Sequence, residues 1–221
     1  MSDLFHDLEP DRQDPEPLAP GATLLRRFAL ADAPALVAAL QPITHVAPFR
    51  HMATPGGYTM SVAMTNCGVA GWVSDRSGYR YDTHDPESGK AWPAMPVAFR
   101  DLATRAAASG GFASFSPNSC LINRYAPKTR LSLHQDKDEG YFNAPIVSVS
   151  LGLPAVFLFG GMKRGDRTRR IRLENGDVVV WGGPSRMTYH GVAPLADGFD
   201  PLTGSTRINL TFRTARLTPT G

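Results

Sequence analysis

The segment LSLHQDKDEG carries His134 and Asp136 two positions apart, and a second histidine, His190, ends the run SRMTYH just before Gly191. On a strand, residues i and i+2 project from the same face, so this imidazole and this carboxylate would point together. Two histidines and one carboxylate are the facial triad of non-haem Fe(II) oxygenases, whose open coordination positions admit a chelating cosubstrate and O2. The same donors would serve a Zn(II) hydrolase or an inert cupin-like site. H-x-D alone is a common pattern, so the triad needs support from elsewhere in the chain.

That support comes near the C-terminus. STRINLTFR places Arg207, Asn209, Thr211 and Arg213 at alternating positions, with Ile208, Leu210 and Phe212 between them. As a strand it has one apolar face and one face bearing two guanidinium groups. LINRYAP puts Asn123 and Tyr125 on one strand face by the same parity. An arginine inside a β-core is costly unless it meets an anion, and its planar fork matches a carboxylate bidentately. A dicarboxylate cosubstrate such as 2-oxoglutarate would supply two such anions. A cation-rich outer strand in solvent is the competing reading.

Elements must bring these residues together. After Gly111 short β-like runs follow one another: CLINRY, IVSVSLG, AVFLF, RRIRL, DVVVWGG, MTYHGV and INLTF, separated by turn residues. Many short strands at this spacing indicate a sandwich or barrel, and a double-stranded β-helix (jelly roll) is the natural candidate. Upstream, a helix is expected over Ala33–Leu40, with Asp32 as N-cap and Pro34 in the first turn. A second is expected from Pro93 to Ala108, stopped by Gly110-Gly111. Residues 53–92, rich in Gly, Ser, Thr and Tyr, read as hairpins and long loops. The expected organisation is a flexible acidic, Pro-rich arm over 1–20, an N-terminal extension and lid over 21–111, and a catalytic core over 112–221.

Length and composition suit one soluble globular unit: 221 residues, 42% hydrophobic and 19% charged. The longest apolar runs are far too short to span a membrane, and the acidic N-terminus does not read as a signal peptide. A cytoplasmic monomer is the default expectation. Cys67 and Cys120 would then stay reduced, as small core hydrophobes. The net charge of +3 hides an asymmetry: residues 1–20 hold six acids and one base, a charge of −5, leaving +8 on the rest. A basic body suits a polyanionic partner, although many proteins without one share it. KRGDRTRRIR, residues 163–172, has six bases and one acid at an expected hairpin, and reads either as a solvated turn or as a phosphate clamp. Tyr58 and Tyr79, in Gly-rich loops, are either core residues or stacking surfaces for single-stranded bases.

Taken together, TPGGYTMSVAMTNCG, the segment from Trp72 to Tyr79, LINRYAP, LSLHQDKDE, PIVSVSLGLPA, GDVVVWGG, YHGV and RINLTFR closely resemble the AlkB family of DNA-repair dioxygenases, over about Gly21 to Arg213. The resemblance implies a double-stranded β-helix core with an N-terminal nucleotide-recognition lid. It implies Fe(II), 2-oxoglutarate and O2, and oxidative dealkylation of bases such as 1-methyladenine and 3-methylcytosine in single-stranded or flipped-out DNA, and in RNA. A related oxygenase acting on RNA, protein or a small molecule is the nearest alternative. By the same resemblance His134, Asp136 and His190 are the metal ligands, and Arg207 pairs with the distal carboxylate of the cosubstrate. Asn123, Tyr125 and Asn209 contact it, and Arg213 lies near its metal-bound end. Trp72 stacks on the damaged base against His134, Asp138 faces the exocyclic amine, and Met64, Tyr79, Ser132 and Arg164 complete the substrate side. Arg130 stands where the family usually has lysine.

Overall fold

The structure, a computed structural model, describes residues 14–216. Their elements run β1 (Glu16–Ala19), β2 (Ala22–Leu25), α1 (Ala33–Ala38), α2 (Leu40–Val46), β3 (Ala63–Gly68), β4 (Gly71–Asp75), β5 (Gly78–Asp82) and α3 (Val97–Ser109). Then follow β6 (Ser119–Tyr125), β7 (Leu131–His134), β8 (Ile146–Gly152), β9 (Ala155–Phe159), β10 (Arg169–Leu173), β11 (Val178–Trp181), a 3-10 turn at Gly183–Ser185, β12 (His190–Val192) and β13 (Arg207–Arg213). A seven-stranded sheet in the order β1-β2-β11-β8-β13-β6-β3 faces a four-stranded sheet, β10-β9-β12-β7, and β4 with β5 forms a separate hairpin. All pairings are antiparallel. This is the expected double-stranded β-helix.

Strand parity sorts the side chains into two cores. Cys120 and Ile122 of β6, Val147 and Val149 of β8 and Ile208, Leu210 and Phe212 of β13 face outward, where Leu36, Ile43, Phe99, Leu102 and Ala106 of the helices cover them. Between the sheets, Tyr125, Ile146, Val179 and Trp181 meet Phe157, Phe159, Ile171 and Val192. Arg207, Asn209, Thr211 and Arg213 alternate with the outward set and therefore project between the sheets. All seven residues of β13 are buried, so its polar face is internal and the solvated-strand alternative fails. Cys67 and Cys120 are directly opposed on β3 and β6, both free and buried in the outer core.

Several local expectations are corrected. Within the expected flexible arm, residues 16–19 form β1 and pair with β2; the arm's first 13 residues lie outside the described range. Pro17 is tolerated there because β1 is an edge strand, and Leu18 packs into the inter-sheet core. The helix expected over 33–40 is two short ones meeting at Ala39. Pro42 has no N–H to donate to Ala38, so the first helix cannot run on unbroken. Asp32 makes no capping bond; its Oδ2 accepts from Arg105 Nη2 at 3.0 Å. The later helix begins at Val97, with Pro96 at its N-cap. From the 21–111 segment, β2 and β3 are strands of the larger sheet. No helix among the described residues is long and apolar enough to cross a membrane.

Candidate active site

His134 ends β7, and Asp136 lies two residues on, beyond the strand. Their convergence is thus set by the start of a loop as well as by strand parity. His190 opens β12 and pairs directly opposite His134. Opposed residues of an antiparallel pair share a face, and the two imidazole centroids lie 4.4 Å apart. Gly191 permits this approach, because a Cβ there would sit 2.6 Å from the Leu131 carbonyl oxygen. His134 Nε2 is 3.6 Å from Asp136 Oδ1, and His190 Nε2 is 3.8 Å from Asp136 Oδ2. One donor atom from each of the three residues falls within 4.8 Å of the others, which fits a shared metal ion.

The surroundings prepare these atoms as ligands. His134 Nδ1 lies 2.8 Å from the Ser132 carbonyl and His190 Nδ1 lies 3.0 Å from that of Thr188. A carbonyl only accepts, so each Nδ1 carries the proton and each Nε2 keeps its lone pair for the metal. Burial, reinforced by the neighbouring His134, lowers the His190 pKa to about 4 and holds it neutral. Burial opposes ionisation of Asp136, but Arg213 and then the two histidines outweigh it and hold its carboxyl well below the usual range. Arg213 donates to Asp136 Oδ2 through Nε at 2.9 Å and through Nη2 at 2.5 Å.

The two inward arginines of β13 have different surroundings. Arg213 is neutralised by Asp136 and by Glu139 Oε1 at 3.1 Å, leaving Nη1 unpartnered. Arg207 is 1% exposed, donates from Nη2 to Ser150 Oγ at 2.9 Å, lies 5.1 Å from the Tyr125 ring centroid, and has unpartnered Nε and Nη1. Among the described residues it forms no ion pair with a carboxylate. A buried guanidinium without a counter-anion is unfavourable by several kcal/mol, so this orphaned charge fits an anionic ligand. Asn123 Oδ1 is also unpartnered, whereas Asn209 is engaged with Ser148 Oγ, the Val149 carbonyl and Thr211 Oγ1.

Metal donors and arginines share one cavity of about 830 Å³, and every expected site residue lines it. Met64 and Trp181 are buried in its walls. On the hairpin, Trp72 stacks on Tyr79 with centroids 5.7 Å apart and planes 14° from parallel. The Trp72 indole donates to Asp138 Oδ2 at 2.9 Å. Arg164 reaches the cavity from the loop between β9 and β10 and lies 5.4 Å from the Tyr189 ring centroid. Arg130 and Ser132 line it from the β7 side.

The model of the 2OG-Fe(II) oxygenase superfamily matches residues 21–213. The chain belongs to that superfamily. Within it, this oxygenase is 59% identical over 215 residues to the alpha-ketoglutarate-dependent dioxygenase AlkB of Escherichia coli (strain K12), covering 97% of this chain and 98% of that one. An AlkB homolog from Caulobacter vibrioides is 46% identical over 183 residues, covering 82% of this chain and 81% of its own. The solved structure of OsALKBH1 superposes with a TM-score of 0.79 at 29% identity, covering 90% of this chain and 99% of that one. Fe(II), 2-oxoglutarate (alpha-ketoglutarate) and O2 are therefore its cofactor and cosubstrates, and the donor set described above fits them.

Three residues around the oxygenase's metal-ligand cluster escaped the reading of the sequence. Glu139 is buried between Arg213 and Arg186, whose Nη2 lies 3.1 Å from Glu139 Oε2. Arg186 also donates from Nη1 to the Asp136 carbonyl at 2.7 Å. Tyr81 donates to Glu139 Oε1 at 3.3 Å. Only Tyr81 left a trace in the sequence, two positions after Tyr79 on one strand face. Glu139 sits in a loop and Arg186 directly follows the 3-10 turn, where no periodicity points inward.

Proposed function

We propose that this oxygenase removes N-alkyl groups of the 1-methyladenine and 3-methylcytosine type from bases in single-stranded or flipped-out DNA, and from RNA. One observation carries the reading: a single cavity is lined by the metal donors, the unpartnered Arg207, an aromatic hairpin face and Arg164 of the basic loop. The family relationship supplies the chemistry. Iron with 2-oxoglutarate and O2 oxidises the N-alkyl carbon, and the balance is one aldehyde, one succinate, one CO2 and the restored base.

The chain's own residues bind and orient. His134 Nε2, His190 Nε2 and the Asp136 carboxylate hold the metal, and Arg213 keeps that carboxylate ionised and turned inward. Arg207 anchors the distal carboxylate of 2-oxoglutarate, with Tyr125 and Asn123 beside it, while Asn209 orders the wall they share. A target base must leave its stack, at a cost of a few kcal/mol. Stacking on Trp72 offsets roughly 1–3 kcal/mol of that. Asp138, already accepting from the indole through Oδ2, has Oδ1 for an exocyclic amine and favours a base made cationic by alkylation. Met64, Tyr79, Arg130, Ser132 and Arg164 shape and charge the substrate side. The hairpin of β4 and β5, with the loop before β3, is the nucleotide-recognition lid. A monomer is the proposed state, and a cytoplasmic setting agrees with free thiols at Cys67 and Cys120.

The test loads the protein anaerobically with Fe(II) and 2-oxoglutarate, admits air, and follows DNA and RNA oligonucleotides bearing single N-methyl lesions by mass spectrometry. The reading requires demethylated base and succinate in equal amounts. Succinate without any change in the oligonucleotides would transfer the activity to another substrate class.

A further inference from the structure

The hairpin of β4 and β5 is held from behind by its backbone. Asn66 exchanges two hydrogen bonds with the main chain of Trp72, each 3.0 Å, and Gly71 seats against Trp92, where a Cβ would meet the indole at 2.5 Å. Its front face makes a different connection. Trp72 and Tyr81 are directly opposed across the two strands and so point the same way. From this one rung the indole reaches Asp138 at 2.9 Å and the phenol reaches Glu139 at 3.3 Å. These are consecutive residues, and they follow the metal-ligating candidate Asp136 by two and three positions.

The second contact leads directly to the metal carboxylate. Glu139 Oε1, which accepts from Tyr81, also faces Arg213 Nε at 3.1 Å, and that same Nε donates to Asp136 Oδ2 at 2.9 Å. Arg186 closes the group, contacting Glu139 with one terminal nitrogen and the Asp136 carbonyl with the other. Burial raises the Tyr81 pKa well above its ordinary value, so the phenol stays a donor. In such buried networks the members constrain one another's geometry.

We propose that Tyr81 and Glu139 are positioning residues that latch the base-gripping hairpin to the Asp136–Arg213 pair, so that loading the metal and cosubstrate site tightens the grip on the target base. The inference rests on the function proposed above, and linkage makes it reciprocal: a bound base must stabilise the loaded site by the same factor. Losing the phenol hydroxyl should weaken that coupling about two- to tenfold, the range of one hydrogen bond's net contribution.

The experiment measures the Kd of a 1-methyladenine oligonucleotide with and without Mn(II) plus 2-oxoglutarate, which bind without turnover, for wild type and Tyr81→Phe. Wild type should bind more tightly when loaded. Tyr81→Phe should bring the ratio of the two Kd values toward one, while its Tm and its Kd without Mn(II) and 2-oxoglutarate stay near wild type. Equal ratios in both proteins, or no loading effect in wild type, would overturn the latch. Hydrogen exchange on the wild type alone gives a second measurement that survives a poorly folding variant. Loading should slow exchange in residues 71–82 and leave the hairpin of β1 and β2 unchanged, and equal exchange in both states would also overturn the proposal. Turnover of the same oligonucleotide by the Fe(II)-loaded wild type tests the function separately, because an enzyme that demethylates but shows no coupling loses only the latch.

Discussion

At the scale of single residues, the two arginines of β13 show how identical side chains acquire different tasks. Arg213 is ion-paired within the protein and organises a metal ligand, whereas Arg207 keeps two unpartnered nitrogens in a buried pocket. Arg207→Ala should therefore raise the apparent KM for 2-oxoglutarate by at least about 100-fold, the loss of a desolvated charge-assisted pair of roughly 3 kcal/mol. Oligonucleotide affinity measured without cosubstrate should barely move, and equal losses in both measurements would refute the assignment. His190 allows a second test in chelator-treated protein. Its pKa falls from 6.5 to about 4 on folding, so the folded state favours the neutral ring. That contribution is complete above pH 6.5 and is lost as the pH falls toward about 4. Urea midpoints of the stripped protein should drop across that window, and His190→Gln should flatten the slope there.

Among the elements, the hairpin of β9 and β10 departs most from its reading as one uniform basic run. Arg169 donates from Nη1 to the Leu18 carbonyl at 2.6 Å, which ties β10 to the edge strand β1. Arg172 donates to Glu174 at 2.5 Å, and Asp166 organises the turn by accepting from the Lys163 amide at 2.9 Å. Lys163, Arg164, Arg167 and Arg170 are exposed, and the root of the loop is hydrogen-bonded to Tyr189, the neighbour of His190. These four are the better candidates for binding phosphates. Replacing them with glutamine should reduce the salt dependence of single-strand binding by about 0.7 in the log–log slope for each phosphate no longer neutralised. Replacing Arg169 should instead lower stability with little change in slope. If the slope survives all four replacements, the loop is a solvated turn.

For the whole molecule, the helices matter to chemistry they never touch. Phe99 of α3 meets Phe212 edge-to-face with centroids 6.0 Å apart, and Phe212 stands between Thr211 and Arg213 on β13. Phe99→Ala should cost about 3–5 kcal/mol of stability. Any protein that remains folded should bind metal and 2-oxoglutarate less tightly, because the strand carrying both arginines loses its outer support. Near-native 2-oxoglutarate affinity in a clearly destabilised Phe99→Ala protein would show that the larger sheet holds its register without the helical layer.

The primary structure alone determined the parts that depend on periodicity and residue chemistry. Alternation in RINLTFR separated an apolar face from a guanidinium face, and both proved internal because the helices cover one face of the seven-stranded sheet and the four-stranded sheet covers the other. Strand count and turn spacing indicated the jelly roll, and the chemistry of two histidines and an aspartate indicated iron once the arginines stood beside them. Tertiary structure decided what no local pattern encodes. Glu16–Ala19 is a strand because β2, its hairpin partner across Pro20 and Gly21, is itself held by β11 far along the chain, a support that the Pro-rich segment by itself does not reveal. Asp136 joins the histidines from beyond the end of its strand, and Glu139 and Arg186 meet only after a loop and a turn fold against each other. Loops and turns carry no repeating period, so the direction of their side chains is set by long-range packing that sequence spacing does not record.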